Sequence, residues 1–193
     1  MRLRDAGDHI IKKLTDQLPA QLSYHNVSHT LDVYEAAKRL GTGENITGDE
    51  LMLLLTAAYY HDSGFLVKMN GHEEESCGIA RETLPAFGYT DKEIETICVM
   101  IMATRLPQSP QNHLSQILAD ADLDYLGRDD FAAIGDKLYQ ELSFYGDDMS
   151  REEWDKKQIA FLENHHYFTK TAINLRQAKK DANLGRIKAQ VNL

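Results

Sequence analysis

Apolar residues along this chain recur three and four positions apart rather than two, which is the spacing of a helix face and not of a strand. In TDKEIETICVMIMATR, for example, Ile94, Ile97, Cys98 and Ile101 form one stripe. Start signals agree with the periodicity. Thr47 with Glu50, Thr90 with Glu93 and Ser150 with Glu153 each have the S/T-x-x-E spacing in which a hydroxyl and a carboxylate cap a first turn reciprocally. The pattern predicts helices over residues 5–18, 27–40, 48–62, 72–87, 91–105, 112–126, 129–144, 151–164 and 169–190, with no strand and no internal repeat. The expected fold is therefore all-α. The clearest break is SFYGDDMS, Ser143 to Ser150, which would divide a core of residues 20–145 from a helical C-terminal extension of residues 146–193 within a single helical domain. Trp154, Phe161 and Leu162 are the residues expected to dock that extension.

A chain of 193 residues, 42% of them hydrophobic, can bury a core of useful size. Its net charge of −9 argues against a nucleic-acid polymer or an anionic membrane as partner. A small anionic substrate still fits, because a bound cation reverses the local sign. Neither an apolar leader nor a spanning segment is present, and a cytoplasmic location is the expectation. Cys77 and Cys98 both fall inside helical patterns and read as buried thiols rather than a disulfide.

Three stretches carry chemistry. In SYHNVSHTLDV, His25 precedes a helix and His29 lies on its apolar side with Val33, Ala36 and Leu40, where Asp32 could hold the ring. In DELMLLLTAAYYHDSGF, residues Leu51 to Ala58 are apolar on almost every side, so the helix must run through the interior. It ends in His61 and Asp62, with Gly64 as a natural stop. An imidazole and a carboxylate at the inner end of a buried helix cost several kcal/mol unless paired or bound to a cation, and a divalent ion is the most economical partner. In NHLSQILADADLDYLGR, helical geometry sets Asp122 in line with Leu118 and Leu126, while Asp120 and Asp124 share the other side. Asp122 is then the inward acid and Asp120 a supporting partner. Taken singly, His29 reads equally as a core histidine and Asp122 as part of a solvated acidic face.

Taken together, the words YHNVSHTLDV, AAYYHDSGF, GHEEES and ILADADLDYLGR, in this order over residues 20–145, resemble the HD superfamily of metal-dependent phosphohydrolases. The resemblance implies an orthogonal helical bundle holding one divalent ion (Mn, Fe, Co, Ni, Zn or Mg) through His29, His61, Asp62 and Asp122. It also implies hydrolysis of a small phosphoester, such as a nucleotide, by water that the ion activates. YHN followed by His29 is similar to the word found in cyclic-nucleotide phosphodiesterases, which makes His25 the candidate general acid; an imidazole suits that task because it titrates near neutral pH.

Two departures qualify the resemblance. HDSGF carries no acid just after the dipeptide, so either the metal-bound water needs no dedicated base or Glu73 or Glu74 serves from the next helix. A two-metal site would need two further histidines and only His72 is in view, so a second ion is weak or absent. His72, at a helix N-terminus, and Lys68 are the candidate phosphate-binding residues, with a solvated lysine the stronger reading of Lys68. His165 and His166, beside Tyr167 and Phe168, read either as a helix junction or as the lining of a base pocket. A homodimer is left open. The alternative function, a non-catalytic regulatory ligand-binding module, is disfavoured because all four metal residues are present.

Overall fold

In the computed structural model, residues 1–146 and 149–191 are described; Asp147 and Asp148, inside the expected break, lie outside the described residues. The helices are α1 (Leu3–Gln17), α2 (Val27–Gly43), α3 (Gly48–Tyr60), α4 (His72–Thr83), α5 (Asp91–Met102), α6 (His113–Asp122), α7 (Phe131–Phe144), α8 (Arg151–Asn164) and α9 (Lys170–Gln190). Short 3₁₀ turns follow α3, α4 and α6, and no strand occurs among the described residues. The all-α expectation holds.

The apolar α3 runs through the middle, as its composition demands. Its Leu54, Ala57, Ala58 and Tyr60 have no exposed surface, and they meet Leu40 of α2, Ile97 and Ile101 of α5 and Leu118 of α6 in one cluster. Each fully buried leucine or isoleucine among them contributes about 1.5–3 kcal/mol. Helix α1, upstream of the expected core, adds Ala6, Ile10 and Leu14 to the same cluster. A second cluster joins Tyr24, Leu126, Phe131, Ile159, Leu162 and Ile187. No helix among the described residues is long and apolar enough to cross a membrane. Cys77 and Cys98 are buried and free.

Two of the three capping signals form. Thr90 and Ser150 each make the full reciprocal box, whereas the Thr47 side chain caps nothing. The single helix expected over 112–126 breaks in two: α6 stops at Asp122 and a 3₁₀ turn, Asp124–Gly127, follows. The break has an electrostatic cause. Buried Asp124 takes a 2.9 Å bond from Arg39 and bonds of 2.8 and 3.0 Å from Arg176 of α9. Helix α9 is thereby tied to the end of α6, and Asn183 adds bonds to the Leu126 and Arg128 carbonyls.

Candidate metal centre

Local structure brings residues from three distant segments together. Asn26 caps α2 by accepting from Ser28 N–H and His29 N–H, at 2.9 and 3.4 Å, which fixes His29 in the first turn. Helix α3 ends one residue before His61, so His61 and Asp62 sit where the chain leaves the helix and adjacent side chains can converge. Ser76 of α4 secures that turn. Its hydroxyl donates to the His61 carbonyl at 2.7 Å and accepts from Gly64 N–H at 2.8 Å. Gly64 packs so closely on α4 that a Cβ would lie 1.9 Å from the His72 carbonyl oxygen. Asp122 arrives as the last residue of α6.

The resulting cluster is tight. His29 Nε2 lies 3.4 Å from His61 Nε2, 3.4 Å from Asp62 Oδ2 and 3.2 Å from Asp122 Oδ1. His61 Nε2 lies 3.2 Å from Asp62 Oδ2 and 3.5 Å from Asp122 Oδ1. Tetrahedral ligands about 2.1 Å from an ion stand about 3.4 Å apart, so the spacing suits a divalent metal. The hydrogen-bond count points the same way. His61 Nδ1 donates to the Ala58 carbonyl at 2.8 Å, which turns the lone pair of a neutral ring at Nε2 toward the carboxylates. Asp62 Oδ2 is buried with no hydrogen-bond partner. Lone pairs aimed at one another in the interior require a cation, and the ligand atoms of His29, His61 and Asp122 all lie within 4.8 Å of one another.

Without a metal ion, protons take that place. Burial opposes charge on His29, but the facing carboxylates of Asp122 and Asp62 override it and lift its pKa to about 9. Burial likewise opposes charge on His61, and the Asp62 charge outweighs it, so His61 also moves up. Both carboxylates move down despite burial, Asp122 to about 2 through its bonds to His29 and His61.

His72 extends the centre. Its Nδ1 donates to the Met69 carbonyl at 2.9 Å, and its Nε2 faces Asp62 Oδ1 at 3.4 Å and Glu73 Oε1 at 3.6 Å. On the other side, His25 Nδ1 is hydrogen-bonded to Oε1 of Glu141. Oε2 of that carboxylate accepts from the backbone N–H groups of Tyr24 and His25 at 2.8 and 3.0 Å. Phe65 stacks on the rings of both His25 and His72, with centroids at 4.2 and 4.1 Å. The His25 ring is 6.0 Å from that of His29. Glu141 was missed in the sequence. The available signal was an acid on α7 between Leu138 and Leu142, on the side of the helix that faces inward.

Other expected residues sit elsewhere. Lys68 pairs with Glu75 at 2.7 Å instead of facing the cluster. Glu74 is exposed and pairs with Arg105 at 2.5 Å, which leaves buried Glu73 as the available carboxylate. Asp32 holds Arg128 rather than the His29 ring. Asp120 supports no metal residue: it accepts from Phe168 N–H, Thr169 N–H and Thr169 Oγ1 at 2.7–2.8 Å, anchoring the start of α9. His165 packs against Lys180 and Tyr167 at the α8–α9 junction, while His166 is exposed beside Phe168. Asp62, Asp122, His25 and His72 open onto a cavity of about 650 Å³ that continues between α7 and α8.

The HD domain profile matches residues 26–124, just over half of the chain, and the chain belongs to the HD domain family. This is a superfamily of metal-dependent hydrolases, and HD domains generally bind divalent metals. The chain is also similar to a predicted HD superfamily hydrolase from an uncultured Thermotogales bacterium, known from its crystal structure. The TM-score is 0.62 and the identity 19%, over 99% of this chain and 92% of that one. No curated protein matches significantly. At that identity the structural likeness establishes the fold alone.

Proposed function

We propose that this protein is a metal-dependent phosphoester hydrolase. The observation that carries the reading is the convergence of His29, His61, Asp62 and Asp122 on one buried point, with Asp62 Oδ2 unpartnered beside a cavity. These four residues would hold the ion. Two imidazoles and two carboxylates favour a first-row transition metal over magnesium. When bound, the ion supplies Lewis acidity toward water and screens charge building on the phosphoryl oxygens.

The remaining work belongs to the chain. In the hydrolysis, a bond forms between the water oxygen and phosphorus as the ester P–O bond breaks. His25 gives its Nε2 proton to the departing oxygen, and Glu141 holds the ring at Nδ1 so that Nε2 faces the cavity. Glu73 is the carboxylate placed to accept the proton that water loses. His72 orients on Asp62 and offers Nε2 to a phosphate oxygen. The products are an alcohol and a phosphate.

Release of phosphate from aryl and alkyl phosphates, assayed after chelator treatment and again after adding Mn²⁺ or Co²⁺, tests the reading. Turnover that appears only with metal supports it. No release with either ion would overturn it and leave a non-catalytic ligand-binding module.

A further inference from the structure

We infer that the substrate is a phosphoester whose alcohol part is apolar, and that the cavity arm between α7 and α8 receives that part. The inference rests on the hydrolase reading for the phosphate end and on the cavity for the rest. The space of about 650 Å³ lies in the range that encloses a small organic molecule, far more than phosphate alone needs. His25, Asp62, His72, Glu73 and Asp122 gather at one end. Beyond them the lining comes from Phe131, Leu138 and Leu142 on one side and Trp154, Phe161 and Leu162 on the other. The α8 residues recur at helical spacing, so a single face of α8 is turned to the cavity. Polar side chains on that face are Lys157 and Gln158. A nucleobase carries donors and acceptors around its whole edge, and burying them against leucine and phenylalanine would leave most unpaired. An alkyl or aryl group gains from the same walls.

Continuity sets the orientation. The metal residues and the apolar arm border one cavity, so a phosphate at Asp62 and Asp122 directs its ester oxygen past His25 and its carbon chain toward Trp154. Helices α7 and α8 then serve as the wall that selects the leaving group.

Trp154 is the only tryptophan in the chain, so its fluorescence reports on this arm alone. The experiment titrates Zn²⁺-loaded protein with butyl-, hexyl- and octylphosphonate, which cannot be hydrolysed at the ester position, and with adenosine 5′-monophosphate. Phosphate release from the matching alkyl phosphates is measured alongside. The expected result is a saturable blue shift of Trp154 emission. Affinity should rise about threefold per added methylene, somewhat below the full transfer value. Leu138→Gln should flatten that rise. Affinity independent of chain length, or tighter binding of adenosine 5′-monophosphate with the same Trp154 response, would overturn the inference. Chain-length-dependent binding without phosphate release would uphold the apolar arm and sink the hydrolase reading. Release without chain-length dependence would do the reverse.

Discussion

Replacing Glu141 by glutamine tests how His25 is held. The Glu141 carboxylate has no exposed surface and receives three hydrogen bonds, from the His25 ring and from two backbone N–H groups. In Glu141→Gln the amide oxygen can keep the two backbone donors, but an NH₂ group then faces His25 Nδ1. Two donors cannot share that contact, so the ring must switch tautomer and accept at Nδ1. Nε2 then carries its proton on a neutral ring, which is a very poor acid. Three charge-assisted bonds become neutral ones, at about 1 kcal/mol each, so urea unfolding should show a loss of about 3 kcal/mol. Catalysis should fall further and selectively. An alkyl phosphate needs its leaving oxygen protonated, and kcat should drop about 10²–10⁴-fold. A nitrophenyl phosphate leaves without that help and should lose less than about tenfold. Burial opposes charge on Glu141, yet the His25 bond and the backbone N–H groups hold its carboxyl below the usual 4.5. The stability it contributes is therefore complete above that value and is lost as pH falls through the lowered one. The variant should lack this acid limb. Equal losses on both substrates, or unchanged turnover of the alkyl ester, would refute the acid role of His25.

Asp120→Ala should cost about 3 kcal/mol in denaturant unfolding, because three donors at the start of α9 lose a charged acceptor, while metal content stays at the wild-type level. Loss of metal with unchanged stability would return Asp120 to a role beside the ion. Burial, reinforced by the Lys180 charge, lowers the pKa of His165 to about 3, so the folded state keeps this ring neutral. Its contribution is complete above 6.5, the unfolded value, and is lost as pH falls from there toward 3. Partial exposure reduces the effect to about 2 kcal/mol across that window. In His165→Asn, unfolding free energies measured between pH 7 and pH 4 should fall less steeply than in wild type, and an identical slope would contradict the assignment.

Much of this protein can be read from its sequence because its helices are amphipathic and its candidate metal residues stand at helix ends. The apolar run from Leu51 to Ala58 forces α3 inward, and anything charged at its end needs a partner, so His61 and Asp62 declare themselves. Helical phase set Asp122 inward, and the family resemblance made it a candidate ligand. The break after it could not be read, because what ends α6 is the pairing of Asp124 with Arg39 and Arg176, residues 85 and 52 positions away. The same limit hid the anchoring role of Asp120 and the grip of Glu141 on His25, which spans 116 positions. Lys68, a phosphate candidate that reads more readily as a solvated lysine, pairs with Glu75. Long-range pairing of charges leaves no local pattern to read.

The central claim is that four converging side chains, His61 and Asp62 buried and His29 and Asp122 half-buried, hold one divalent ion, and elemental analysis tests it most directly. Protein dialysed against Mn²⁺ or Co²⁺ and then against metal-free buffer should retain about one ion per chain. His61→Gln and Asp122→Asn should retain almost none while still showing helical circular dichroism. Wild-type protein without metal, or variants that keep as much as wild type, would contradict the account.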